Sequence, residues 1–184
     1  MKVEATSFIV SEPIESPEIS PLLYAEATEQ QRQVLENNYE IDPFTIGAIN
    51  LERIFADKIL AAEFYYRRHM LFDTAKHLYD LTTMMEQDRI QNLLASSDTL
   101  VKMLAYKRRE EKDRIGSDFA KKPFCEFSLF KAIGTDAELS EVFLKMQEVY
   151  IFSQSDTLSP SKLLVYMDRL KQTLLKLDEN FDMT

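Results

Sequence analysis

The sequence predicts an α+β chain in which helix dominates. A small strand region over residues 1–49 precedes a mainly helical bundle over 50–184. Three observations predict this. Glycine is scarce, at 3 of 184 residues, and three of the 6 prolines crowd together at 13, 17 and 21, whereas an all-β chain needs turn formers throughout. Apolar residues recur at helical spacing in the second half. Residues 2–10, "KVEATSFIV", instead mix β-branched and aromatic residues as a strand does.

After that strand, "SEPIESPEISP" holds the three clustered prolines and reads as an extended loop. "PLLYAEATEQQRQVLENN" reads as one helix beginning near Pro21. "YEIDPFTIGAIN" reads as a short strand ending before Asn50. Asn50 suits an N-cap and Glu52 suits the first turn of a helix running to about Tyr66. A second helix spans roughly Phe72 to Glu86. A third covers 98–114 and ends in "YKRREEKDR", whose mixed charges suggest a solvated face. "AKKPFCEFSLFKAIG" is apolar and irregular, and Cys125 within it reads as a buried, inert thiol. Asp136 caps a helix whose stripe is Leu139, Val142, Phe143, Met146, Val149 and Tyr150. Ser159-Pro160 opens the last helix, with Leu163, Tyr166, Met167, Leu170, Leu174 and Leu177 facing inward. The two regions are expected to form one continuous domain.

The net charge of −9 and pI near 4.8 oppose non-specific binding to nucleic acid or anionic membrane. The single cysteine excludes an internal disulfide and a cysteine-rich zinc site, and two histidines do not favour a structural metal. No apolar run approaches the ~20 residues of a membrane span, and "MKVEATSFIV" lacks the apolar core of a signal peptide. The expected location is cytoplasmic.

Two features do not fit a plain helical bundle. Lys58 falls on the apolar face of the Asn50 helix, seven residues after Leu51 and three after Phe55. It either snorkels to water or meets an anion such as a phosphate. In "DTAKHLYDL", residues Asp73, Lys76, His77 and Asp80 share one side of the next helix. That stripe is either a solvated face or half of a binding site.

Together, "NLERIFADKILAA" and "AKHLYDL" resemble the C-terminal motifs of the AbiEii/AbiGii family of toxin nucleotidyltransferases. Glu52-Arg53 precede Asp57-Lys58, as an "ER" precedes "EK" or "DK" in the family. Lys76-His77-Leu78-Tyr79-Asp80-Leu81 match its "RHYYDL"- or "KDLYDL"-like segment. "YEIDPFTIGAIN" looks like the strand leading into the lysine helix, and "MKVEA" like a strand whose acidic residue would be Glu4. The resemblance covers roughly residues 1–86. It implies a polymerase-β-type nucleotidyltransferase sheet, here incomplete, followed by helices. It also implies transfer of a nucleotide from a nucleoside triphosphate with Mg²⁺. Glu4 and Asp80 would be catalytic, and Lys58, Lys76 and His77 would bind the nucleotide. No metal ligand is assigned.

The family's Gly-Ser turn and Asp-x-Asp strand belong before the Glu4 strand, which Met1 precedes by only three residues. "GSD" at 116–118 and "DAE" at 136–138 stand in the wrong order. The chain therefore reads as the later portion of such a domain, truncated and not catalytic alone. Mg²⁺ and a nucleoside triphosphate would bind once another chain completes the site. Expected partners are an antitoxin-like protein or the missing N-terminal half, with nucleic acid only as an acceptor. The alternative is a non-catalytic helical interaction module.

Overall fold

A computed structural model describes residues 14–110, 112 and 122–181. The expected strand over 2–10, with Glu4, and the "GSD" at 116–118 lie outside the described residues. The described chain falls into two compact units, one ending at Asn50 and one beginning at Leu51.

The first unit holds four short strands and two helices. Strand β1 (Ile14–Glu15) pairs antiparallel with β4 (Ala48–Ile49), and β2 (Glu18–Ile19) pairs with β3 (Phe44–Thr45). The proline-rich stretch is thus not only loop. Its ladders are two residues long and fall between the prolines, which cannot donate to a ladder. "YEIDPFTIGAIN" gives two strands separated by Ile46-Gly47, not one. The single helix expected from Pro21 is two, α1 (Leu22–Ala25) and α2 (Glu29–Tyr39). The break has a local cause: Gln31 Oε1 accepts from both the backbone N–H and the hydroxyl of Thr28, 2.9 Å each, so a new helix starts there. Glu40 ends α2 in the left-handed region, at φ 54°. No residue of α1 or α2 is buried.

The second unit is a helical bundle. Its centre is an αα-hairpin of α3 (Leu51–Arg67) and α4 (Leu71–Met84). Residues 68–70 make the turn, with His69 at φ 57°. Next come α5 (Asp88–Ala95) and α6 (Ser97–Glu110), then a 3₁₀ turn at Phe124–Glu126 and the short α7 (Ser128–Ala132). Then follow α8 (Ala137–Tyr150), a 3₁₀ turn at Gln154–Asp156, and α9 (Pro160–Phe181). Helix α8 packs on α4, while α5, α6 and α7 pack on α3. Helix α9 lies against α4, α6, α7 and the first 3₁₀ turn.

The helix ends follow the sequence signals. Asp136 accepts from the Leu139 N–H at 3.0 Å, and Ser159 Oγ accepts from the Lys162 N–H at 3.2 Å. On α9, Leu163, Met167, Leu170, Leu174 and Leu177 are all buried. On α8 the stripe holds at Leu139, Phe143 and Met146, but Val149 and Tyr150 are exposed. The core ends one turn before the helix does.

Three long-range polar contacts tie the bundle together. The fully buried Glu63 of α3 accepts from the Ser128 and Leu129 N–H groups, at 2.9 and 2.8 Å, and so caps α7 from another helix. Asp178 of α9 accepts from the Phe124 and Cys125 N–H groups, at 2.9 and 2.8 Å. Gln147 of α8 donates to the Leu158 carbonyl and accepts from its N–H. Cys125 is exposed, contrary to the expectation. The 3₁₀ turn sends Phe124 and Phe127 inward and leaves Cys125 and Glu126 outside. The expected solvated face of "YKRREEKDR" is also partly buried. Lys107 is enclosed, and Arg108 lies with its guanidinium 4.1 Å from the centre of the Phe124 ring. Burial pulls the Arg108 pKa down to about 10.

Candidate functional site

Helix α3 is apolar at Phe55, Ala56, Ile59, Leu60 and Ala62, all buried. Lys58 lies at the edge of that face. Helix α4 buries Leu71, Thr74, Ala75, Leu78, Leu81 and Thr82, which leaves Asp80 and His77 at the border of its own buried face. Folding the two helices into a hairpin brings the borders together. The Lys58 ammonium donates to Asp80 Oδ2 at 2.5 Å, and the lysine side chain is 24% exposed against 40% for the aspartate. The lysine has therefore found an anion within its own chain while both groups stay within reach of solvent.

One turn before Asp80, the His77 ring stacks on Tyr65 of α3, with centroids 5.2 Å apart and planes at 25°. Its Nδ1 is enclosed without a hydrogen-bond partner. Burial, reinforced by the Lys58 charge, pulls the His77 pKa down to about 4, so the imidazole is neutral at physiological pH.

The stripe 73, 76, 77, 80 divides. Lys76 does not join Lys58. Its ammonium is 2.9 Å from Asp73 Oδ1 and stands 5.2 Å from the Tyr150 ring centre and 5.6 Å from that of Phe72. The hydrogen bond to Asp73 raises the Lys76 pKa. Lys58, His77 and Asp80 thus converge at the hairpin, Lys76 faces the end of α8, and Glu4 lies outside the described residues.

Beside the Lys58–Asp80 pair lies an ion network. Asp57 Oδ1 accepts from Arg53 Nε at 3.0 Å and Asp57 Oδ2 lies 3.2 Å from Lys107 Nζ of α6, with both cations enclosed. Burial raises the Asp57 pKa, against the pull of Lys107 and Arg53. Glu52 forms a two-point contact with Arg89 of α5, at 2.9 and 2.6 Å, and that hydrogen bonding lowers its pKa. The "ER…DK" segment therefore works as a unit. Glu52, Arg53 and Asp57 tie α3 to α5 and α6, and Lys58 is left to pair with Asp80 of α4. The i, i+4 spacing of Arg53 and Asp57 was a sequence signal for their pairing. Nothing in sequence pointed to Lys107.

Among the described residues no group of three or more His, Cys, Asp or Glu side chains could hold a metal ion. Asp80 and Asp73 each already accept from a lysine. The described donor set does not fit a Mg²⁺ site.

A family model for the nucleotidyl transferase AbiEii toxin of type IV toxin–antitoxin systems matches residues 2–168. The chain belongs to this AbiEii family. The match takes in the strands of the first unit and the bundle as far as α9, and it includes Lys58, His77 and Asp80. No curated protein and no solved structure matches the chain. Membership supports a nucleotidyltransferase-like role in a toxin–antitoxin system, which includes an antitoxin. No helix among the described residues is long and apolar enough to cross a membrane.

Proposed function

We propose that this AbiEii-family chain is a cytoplasmic component of a nucleotidyl transfer system and that its α3–α4 cleft holds the nucleoside triphosphate. The contact between Lys58 and Asp80 carries this reading. A lysine at the border of an apolar face needs an anion, and here a partly exposed carboxylate fills that place. An arriving phosphate offers more negative charge than one carboxylate and competes for the ammonium. Asp80 keeps Lys58 oriented beforehand, then turns to orient the reacting group. Lys76, engaged by Asp73, adds attraction at longer range.

Transfer in this family calls on Mg²⁺, which when bound neutralises the triphosphate and stabilises the attacking and leaving oxygens. The described carboxylates do not provide for it. We therefore propose that the chain is not catalytic alone. Glu4 contributes one acidic group, and a second polypeptide with a Gly-Ser turn and an Asp-x-Asp strand contributes the others. That polypeptide or an antitoxin-like protein is the proposed partner, and nucleic acid enters as an acceptor.

Two measurements test this. Calorimetry should detect ATP binding to the purified chain, lost in Lys58→Met; absence of ATP binding overturns the nucleotide site. Radiolabelled nucleoside triphosphates with Mg²⁺ should give no transfer to RNA or protein by the chain alone. Transfer that Glu4→Ala abolishes would overturn the dependence on a second polypeptide.

A further inference from the structure

The α3–α4 hairpin carries an aromatic pair as well as a charged one. Tyr65 lies seven residues after Lys58 on α3, two turns or about 10 Å along the axis, and His77 lies one turn before Asp80 on α4. In the hairpin both steps run the same way, toward the 68–70 turn. Tyr65 and His77 are half-buried, so each is fixed on some of its surface and open on the rest. Along the hairpin an ammonium thus stands at one point and stacked rings at another, nearer the turn. Their spacing suits a ligand whose phosphates stand apart from a flat base.

We infer that the stacked Tyr65–His77 pair is the nucleobase platform of this site, the base lying on the imidazole while the phosphates meet Lys58. The inference rests on the nucleotide-binding reading above and assigns a part of the ligand to each end. Base–aromatic stacking contributes about 1–3 kcal/mol per base and tolerates any base. In the alternative role for His77, a phosphate contact, a neutral imidazole offers one N–H and no positive charge. The groups facing the ring are Lys58 from α3 and Asp73, Lys76 and Asp80 from α4, and burial with Lys58 keeps the ring neutral. The enclosed Nδ1 has no hydrogen-bond partner, so packing on Tyr65 sets the ring plane, as a stacking surface requires.

The chain has only two histidines, His69 and His77. His69 is exposed in the hairpin turn, so His69→Gln leaves a single imidazole NMR signal set, that of His77. This variant is titrated with ATP and, separately, with inorganic tripolyphosphate. ATP should move the His77 ring protons upfield, through the ring current of a stacked base, and tripolyphosphate should not. His77→Ala should weaken ATP binding roughly tenfold, and His77→Phe should restore it. Downfield movement with both ligands would mean an imidazole protonated against phosphate, and would overturn the platform while leaving the nucleotide site intact. Binding of both ligands with the His77 signals unmoved would do the same. Failure of both ligands to bind would remove the site and the platform together.

Discussion

The Lys58 ammonium and the Asp80 carboxylate meet at 2.5 Å across the α3–α4 hairpin, though 22 residues separate them in the chain. The pair is partly exposed, so its stabilising effect is modest, about 1 kcal/mol or less. Lys58→Met should therefore shift the urea midpoint little, while lowering ATP affinity at least tenfold. A large loss of stability with unchanged ATP affinity would show that the pair serves folding alone.

Glu63 is the reverse case. It is fully buried and caps α7 through two backbone N–H groups. Burial raises its pKa, and those two N–H groups pull the other way. Glu63→Ala should cost about 2–3 kcal/mol, because two buried donors lose their acceptor. Equilibrium urea unfolding measures it, and a loss under about 0.5 kcal/mol would contradict the cap.

Gly134 has φ +87°, and a Cβ placed on it would lie 3.0 Å from Leu164 Cδ2. Gly134→Ala should destabilise by about 1–2 kcal/mol from the backbone conformation alone. Adding Leu164→Ala should recover only the steric part, so the double-mutant cycle separates strain from contact.

The pH dependence follows from His77. Its folded pKa, about 4, lies below the ordinary histidine value of 6.5. The unfolded chain therefore takes up the proton first as pH falls. The stabilisation is complete above pH 6.5 and is lost as pH drops toward 4. Asp57 and Glu63, with raised pKa values, act in the opposite sense. Stability of the unmodified protein relative to His77→Phe should fall by up to about 2 kcal/mol between roughly pH 7 and 5. Parallel pH profiles for the two proteins would refute the buried neutral imidazole.

Sequence reasoning reached this fold where signals were local and repeated. The α8 and α9 helices announce themselves through Asp136, Ser159-Pro160 and long apolar stripes, and both caps form. Helix α5 escaped notice because its buried set, Ile90, Leu93 and Leu94, spans little more than one turn. The β1 and β2 pairings escaped because two-residue ladders have no period to detect. The site divided along the same line. Lys58 and Asp80 stood out as a charge on an apolar face and a motif carboxylate, and the hairpin joined them. Lys107 read as part of a solvated face, Arg53 only as part of a motif, and Glu63 drew no reading. Their burial depends on partners on other elements, such as Tyr106 beside Arg53 and the Ser128 N–H above Glu63. The exposure of Cys125 turned on which residues of a single 3₁₀ turn face inward, a choice that composition does not encode.

The Asp178 contact bears on how the protein is made. Asp178 lies one turn from the end of α9, and its carboxylate holds the Phe124 and Cys125 N–H groups, while Leu170, Leu174 and Leu177 close the same side of the core. During translation the α3–α4 hairpin is complete more than ninety residues before this clasp. The part of its apolar surface that α9 covers waits open in the meantime to chaperones or to a partner already present. The bundle that begins at Leu51 can lock only once α9 has emerged. A nascent chain stalled before α9 would carry Lys58, His77 and Asp80 but not the whole scaffold that holds them, so the emergence of α9 sets the moment at which the site takes its final form.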